Sequence, residues 1–390
     1  MTLHPDRRTL VQSAAVAGVA AWVGAANWSR ARAAERPRLA VITLQGGMDG
    51  LSLAPPLRDE RYHELRGGLA IAKPLPFTAD FGLHPAMPKL AAMAKAGEVR
   101  LAPAAASPSR SRSHERESEV LAAGVVAAGD ARGGWLNRAV AALAAGGGGA
   151  SGQALDVAAP LLASGPAPFP AWAPGAPDID PRLMGRLKRL YGDDPGLQAL
   201  RADAGRLQRR TALAADGAGG SELAVRARTL GRLLAADDSP TVGSLSTGGY
   251  DTHGGQGAEQ GRLADRFRDL DEALAALKAG AGPAWSRTAV LVFTEFGRTA
   301  AANGAGGTDH GVASAALLLG GAVRGGAILG DWPTLAASRL YEGRDLAPGL
   351  DLYVLFKGVL AEHMGLDRTV LDRDVFPGST TAPALRGLSS

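Results

Sequence analysis

The sequence predicts an α/β fold, a mostly parallel central sheet covered by helices on both faces. Three observations predict it. Short apolar runs at Pro37–Leu44, Thr241–Ser246, Thr288–Thr294 and Ser314–Leu319 alternate with longer helical stretches, and strands separated by helices form parallel sheets. The stretch Gln260–Ala279 is amphipathic, with Leu263, Phe267, Leu270, Leu274 and Leu277 at spacings of 4, 3, 4 and 3 residues, so one face is apolar and packs on a sheet. A chain of 390 residues can bury a large core, in one big domain or two smaller ones.

The first residues read as an export leader. Arg7 and Arg8 precede the apolar run Leu10–Val23, and Ala31-Arg32-Ala33 suits signal peptidase, with cleavage before Ala34. Adjacent arginines point to the twin-arginine route. A membrane anchor fits less well, because the Ala- and Gly-rich run is shorter than the roughly 20 residues a spanning helix needs. The expected product is periplasmic or secreted, with no stable membrane span. Its organisation is a leader at 1–33 and a single α/β domain at 34–390. The leader carries four of the 42 basic residues and one of the 38 acidic ones, so cleavage lowers the formal charge from +4 to about +1. No basic stripe interleaved with aromatics remains, and no nucleic-acid partner is expected. The chain has no cysteine, which excludes disulfides, thiolate metal sites and cysteine nucleophiles.

The first strand, Pro37–Leu44, is rich in β-branched residues and runs into the glycine-rich turn Gln45-Gly46-Gly47-Met48-Asp49-Gly50. Gly82–Glu98 reads as a helix behind Pro85, Glu98–Ala102 as the next strand, and Glu115–Ala128 and Trp135–Ala145 as helices. Gly146–Gly152 reads as a flexible break and Ala158–Pro177 as an irregular excursion. Pro181–Asp237 is mostly helical, which predicts a helical cap insertion at about 158–237. Gly248-Gly249 turns the chain after Thr241–Ser246, and Asp351–Met364 closes the fold as a helix.

Polar clusters fall where these strands end, the edge at which loops of an open α/β sheet converge on a ligand. Asp49 follows the first strand, Ser113-His114 the second, and Asp251-Thr252-His253 the strand at Thr241–Ser246. Glu295 ends the strand at Thr288–Thr294, and Asp309-His310 follows fourteen residues later. Carboxylate oxygen with imidazole nitrogen suits zinc, manganese or iron, and several carboxylates suit a two-metal clamp on an ester oxyanion. Each cluster alone has a plainer reading: an Asx-capped turn at Asp251, a polar loop at Asp309-His310, a capped strand end at Glu295. Their joint placement favours metal. Arg298 fits either a grip on an anionic ester oxygen or an ion pair with Glu295 or Asp309. His114 fits a ligand or a partner orienting Ser113. Asn303 reads as loop structure, His84 as a packing or capping residue, and Arg110 and Arg112 as solvated.

The segments LQGGMDGL (44–51), GLHPAMPKL (82–90), SRSHE (111–115), GGYDTHGGQ (248–256), VFTEFGRTAAANGAGGTDHG (292–311), GGAVRGGAILGDWP (320–333) and VFPG (375–378) together resemble the bacterial family catalogued as domain of unknown function 1501. That family is typically exported and related to the alkaline phosphatase–sulfatase superfamily. The resemblance implies an alkaline-phosphatase-like three-layer sandwich with a helical insertion. It implies Asp49 as a metal ligand after the first strand and Ser113 as a nucleophile at a helix N-terminus. Asp251 and His253 would share a metal, Glu295 would be the acidic ligand of a later strand, and His310 with Asp309 would close the site. The departures are an Asp-x-His spacing at Asp251, Phe296 after Glu295, Glu115 after Ser113-His114, and Met48 before Asp49. They leave open whether one or two metals bind, and whether Asp309 or Glu295 is a ligand. Ala106 occupies the nucleophile position of the sulfatase-like run Ala106–Arg110, so formylglycine chemistry is not expected there.

The implied activity is an exported, metal-dependent hydrolysis of phosphate or sulfate esters, with Ser113 and Arg298 as catalytic candidates. The implied cofactor is one or two divalent ions, zinc, manganese or calcium. The expected partners are a small anionic ester or glycan and a second exported protein. The alternative is a non-enzymatic exported binding or scaffold protein that keeps the metal site.

Overall fold

Side-chain alternation along the first strand, β1 (Arg38–Leu44), shows why a two-faced sheet forms. Leu39 and Val41 enter one apolar cluster, while Ala40, Ile42 and Leu44 enter another. The strand at Thr288–Thr294 repeats the pattern, with Leu291 and Phe293 on the first face and Val290 and Val292 on the second. A strand with period two and both faces apolar must be covered on both sides. This is a computed structural model, and it describes residues 36–129, 133–156, 158–172, 219–236 and 240–389, with residues 182, 185, 186 and 189. The leader at 1–33 and most of the expected insertion at 158–237 lie outside the described residues. The chain divides into two units, Met1–Arg36 with Ala236–Asp238 and Pro37–Ala235 with Ser239–Ser390, and everything below belongs to the second.

Six more strands complete the sheet: β2 (Val99–Ala106), β3 (Gly152–Ala154), β4 (Val242–Thr247), β5 (Thr288–Thr294), β6 (Ser314–Leu319) and β7 (Leu350–Asp351). Their spatial order is β7-β2-β6-β5-β1-β4-β3. β3, β4, β1 and β5 run parallel, and β7 runs parallel to β2. β6 alone is antiparallel to both of its neighbours. This is the α/β sandwich with a mostly parallel sheet that the sequence predicts.

Helices α1 (Pro88–Lys95), α2 (His114–Ala123), α3 (Trp135–Leu143), α4 (Glu222–Ala235), α5 (Arg262–Ala281) and α6 (Leu352–Glu362) supply the outer layers. α2, α3 and α6 contribute Val120, Trp135 and Phe356 to one face. α1, α4 and α5 contribute Leu90, Leu230 and Phe267 to the other. The predicted stripe of α5 is fully buried, each of its five residues at 1 % exposure or less. Burying each of those side chains stabilises the fold by about 1.5–3 kcal/mol.

Several boundaries differ from the sequence reading. The helix expected over Gly82–Glu98 begins only at Pro88, because Gly82–Leu83 pairs antiparallel with Leu75–Pro76. Pro88 suits a first helical turn, where its missing N–H costs nothing. The second strand continues past Ala102 to Ala106 through Pro103, which falls where the β2–β6 register shifts. A bulge tolerates a residue that cannot donate to the ladder. The glycine-rich break at Gly146–Gly152 ends by entering β3, an edge strand on β4. The described C-terminal part of the expected insertion, α4, packs in the layer beside α5: a Cβ at Gly231 would meet the Leu277 carbonyl at 2.3 Å. Among the described residues no helix is long and apolar enough to cross a membrane.

Candidate metal centre

The carboxyl edge of the parallel strands carries the site, and β6 explains how one more loop reaches it. Because β6 is antiparallel, the chain leaves β5 at this edge, makes the loop 295–313 and re-enters the sheet at the same edge. The turn after β1 sits beneath. Gly46 and Gly47 have φ of 118° and 62°. A Cβ on Gly46 would lie 2.5 Å from the Asp251 amide nitrogen, and one on Gly47 would strike the Phe296 ring. Only glycine allows that turn and that approach together.

The chemistry gathers around Asp251. His114, Asp251 and His310 each bring a donor atom to within 4.8 Å of the others. His253 Nε2 stands 3.1 Å from Asp251 Oδ1, His310 Nε2 3.3 Å from the same oxygen, and His114 Nε2 3.5 Å from Oδ2. The three rings also pack on one another, with His310 centred 4.6 Å from His114 and 4.7 Å from His253.

The other nitrogen of every ring is already committed. His114 Nδ1 lies 2.8 Å from Glu295 Oε1, His253 Nδ1 3.2 Å from Asp309 Oδ1, and His310 Nδ1 2.9 Å from the Arg112 carbonyl. These three oxygens only accept, so each Nδ1 donates. In a neutral ring Nε2 then carries the lone pair, and all three lone pairs face one carboxylate. Three nitrogen lone pairs and a carboxylate charge then crowd one point. For His310, burial first, then the charges of Arg298 and His114, hold the imidazole below its ordinary value despite the opposing Arg112 and Asp251 contacts. A divalent cation among imidazole nitrogens and a carboxylate satisfies the same atoms without that crowding. Donors fixed from behind by carboxylates and carbonyls are how proteins orient metal-binding histidines.

The expected residues therefore separate by position. Asp251, His253 and His310 come together, joined by His114. Glu295 and Asp309 stand behind the rings. Glu295 is 4 % exposed against 44 % for Asp251, and its oxygens accept from His114, the Gly46 amide and Thr294 Oγ1. Asp309 also accepts from Asn303 at 3.0 Å, a contact that leads the causes lowering its carboxyl pKa. Asp251 is lowered too. Burial pushes it up, but the hydrogen bond and charge of Arg298, with His253 and His310, outweigh that.

Asp49 does not join the cluster. It is fully buried, and its Oδ2 accepts from Arg66, from Ser52 at 2.7 Å and from Gln256 at 2.6 Å. Arg66 supplies the positive charge that a metal was expected to supply. Arg298 likewise lies buried beside the cluster. Its side chain is 0 % exposed, and its nitrogens donate to the carbonyls of Gly46, Gly47, Tyr250 and Thr308 and to Asp251 Oδ1 at 2.6 Å. It ties the β1 turn to the β4 loop and holds Asp251 in place.

Ser113 is the N-cap residue of α2, in extended conformation, and its side chain makes no capping hydrogen bond. It lies between Arg112, whose carbonyl holds His310, and His114. The segment before it is tightly bound. Arg110 and Arg112 both adopt φ of 58°, sparsely populated for residues with a Cβ. Arg112 is not solvated as expected, but donates to Asp345 at 2.7 Å and Glu342 at 2.6 Å.

The sequence matches the family described as "Protein of unknown function (DUF1501)" over residues 36–375. The chain belongs to this family. None of the curated proteins matches this DUF1501 chain in sequence. Among solved structures, the phosphonate monoester hydrolase of Agrobacterium radiobacter is 14% identical, covering 85% of this chain and 74% of its own, at a TM-score of 0.37. The C-terminal periplasmic domain of EcEptC from Escherichia coli, in complex with Zn, is 8% identical, covering 89% and 88%, at 0.42. Ps i-CgsB is 10% identical, covering 90% and 77%, at 0.41.

Proposed function

We propose that this DUF1501 chain is an exported, metal-dependent hydrolase of phosphate or sulfate esters. The carrying observation is the convergence of three imidazole Nε2 atoms on the Asp251 carboxylate while each Nδ1 is held from behind. His114, Asp251 and His310 would hold the cation, with His253 at the flank. Bound there, a divalent ion supplies the charge that acidifies a hydroxyl and stabilises an ester oxyanion. Ser113 is the proposed nucleophile: it stands at the N-terminus of a ten-residue helix, where negative charge is favoured, and spends no side-chain bond on capping. Glu295 and Asp309 keep the rings oriented, and Arg298 keeps Asp251 ionised and fixed. The likeness of the strand-end residues to the alkaline phosphatase–sulfatase pattern, read from sequence, points to the same chemistry.

Purified mature protein is expected to hold a cation by elemental analysis and to hydrolyse aryl phosphates or aryl sulfates in a chelator-sensitive way. Ser113→Ala is expected to lower turnover at least about a hundredfold while leaving the cation in place. A protein that takes up none of zinc, manganese or calcium would sink the proposal. A cation held without turnover would make the chain a binding or scaffold protein.

Residues 1–33 are proposed as a twin-arginine leader, on the strength of Arg7-Arg8 ahead of a short apolar run. Replacing both arginines by lysine is expected to leave the precursor in the cytoplasm, read by cell fractionation. Undiminished export of that variant would overturn the assignment.

A further inference from the structure

A cavity of about 390 Å³ opens beside the metal centre on the α2 side. It shares Glu295 with the site, and α2 links the two: His114 belongs to the cluster, while Glu115, Ser118, Glu119 and Ala122 line the cavity. Its volume is in the range of small-molecule sites. One part of the wall is apolar, built from Leu121, Leu161, Leu162, Leu245 and Phe293. The charged part is entirely acidic, from Glu115, Glu119, Asp156 and Glu295, with no lysine, arginine or histidine among the described lining residues.

Two residues of this wall each carry a buried side-chain oxygen with no hydrogen-bond partner among the described residues, Asp156 Oδ2 and Ser244 Oγ. The other Asp156 oxygen is fully used, accepting from Arg226, from the Ser246 amide at 3.1 Å and from Ser246 Oγ at 2.8 Å. The Asp156 side chain is 10% exposed. Buried polar atoms left unpaired are costly, and natural structures keep few of them. Two in one cavity call for a ligand that brings its own donors. Among the described residues Arg226 pairs with Asp156 and His114 with Glu295, which leaves Glu115 and Glu119 as negative charge that favours a cationic donor and repels an anionic group.

We propose that this cavity is a subsite for an apolar group carrying an amine, the non-reacting end of the substrate. The proposal rests on the hydrolase reading above and completes it. The anionic ester would lie at the cation-binding cluster, and its ammonium-bearing apolar part would lie along α2 against Asp156 and Ser244. A substrate with opposite charges at its two ends is then oriented before any chemistry begins.

The test is direct binding of n-hexylammonium, n-hexanol and hexanoate to the mature protein by calorimetry, with and without prior chelation. Hexylammonium is expected to bind at least about tenfold more tightly than hexanoate, as a hydrogen-bonded charge pair would produce, and equally well after chelation. Ser118→Phe, at an exposed position of α2, should fill the cavity mouth and abolish binding. Ala122→Phe is the second variant should the first leave room. Hexanoate binding as tightly as hexylammonium, or both variants binding undiminished, would overturn the subsite and leave the hydrolase proposal standing. Inactivity on every ester with hexylammonium binding intact would do the reverse.

Discussion

Asp251→Asn is expected to lower cation affinity at least about a hundredfold, more than any change behind the rings, because it removes the one charge that all three Nε2 atoms face. The fold should survive, since an asparagine oxygen can still accept from Arg298. Glu295→Gln should cost about ten- to a hundredfold, by loosening the His114 ring and freeing its tautomer. Asp309→Asn should cost less, because it steadies only the flanking His253. Titrating chelated protein with zinc or manganese measures all three. Equal affinities across the series would mean that these side chains are a polar loop network and not a metal centre.

The largest effect on stability is expected at Asp49. Removing one member of a fully buried ion pair costs about 3–5 kcal/mol, because the partner is left charged in the interior. Asp49→Ala does this to Arg66, and both side chains are at 1 % exposure or less. The cost should depend on pH. Burial alone would raise the Asp49 carboxyl, but the Arg66 charge and the hydrogen bonds from Ser52, Gln256 and Arg66 hold it below its ordinary value of 3.8. A carboxyl lowered on folding contributes stability above its unfolded pKa and loses it as pH falls through the folded one. The gap between parent and variant should therefore be full at neutral pH and narrow below about pH 4. Denaturant midpoints at neutral and acid pH measure this. A pH-independent gap would mean that Asp49 acts through packing and not through charge.

The strands that carry the site were legible because they are buried on both faces, and burial shows as β-branched runs in β1 and β5. β3 and β7 were not legible. Gly152-Gln153-Ala154 and Leu350-Asp351 become strands only because a neighbour offers backbone groups to pair with, and no local pattern encodes that. Within the site, the cluster of Asp and His at strand ends was visible, but first contact and support were not separable. Glu295 and Asp309 differ from Asp251 in which atom each faces, which is a property of packing. His114 was visible in the run Ser113-His114 but not separable from an orienting role. Arg66 gave no signal, and Gln256 appeared only as the last residue of the segment 248–256. Arg66 sits on a short helix, Tyr62–Arg66, and its carboxylate partner lies in a different segment. The expected metal role of Asp49 came from its place after the first strand and from the resemblance, and a guanidinium meets the same electrostatic need.

The reversed direction of β6 has one more consequence. β5, the loop 295–313 and β6 form a hairpin with an enlarged tip, and that tip holds Glu295, Arg298, Asn303, Asp309 and His310. Its two ends are pinned side by side by the β5–β6 ladder, and inside it Gly297–Arg298 pairs antiparallel with His310–Gly311, so close that a Cβ on Gly297 would lie 1.7 Å from the Ala313 carbonyl. These polar groups therefore hold or shift as a single unit. The β1 turn and the α2 entrance are fixed in the same way, by glycine contacts and left-handed arginines.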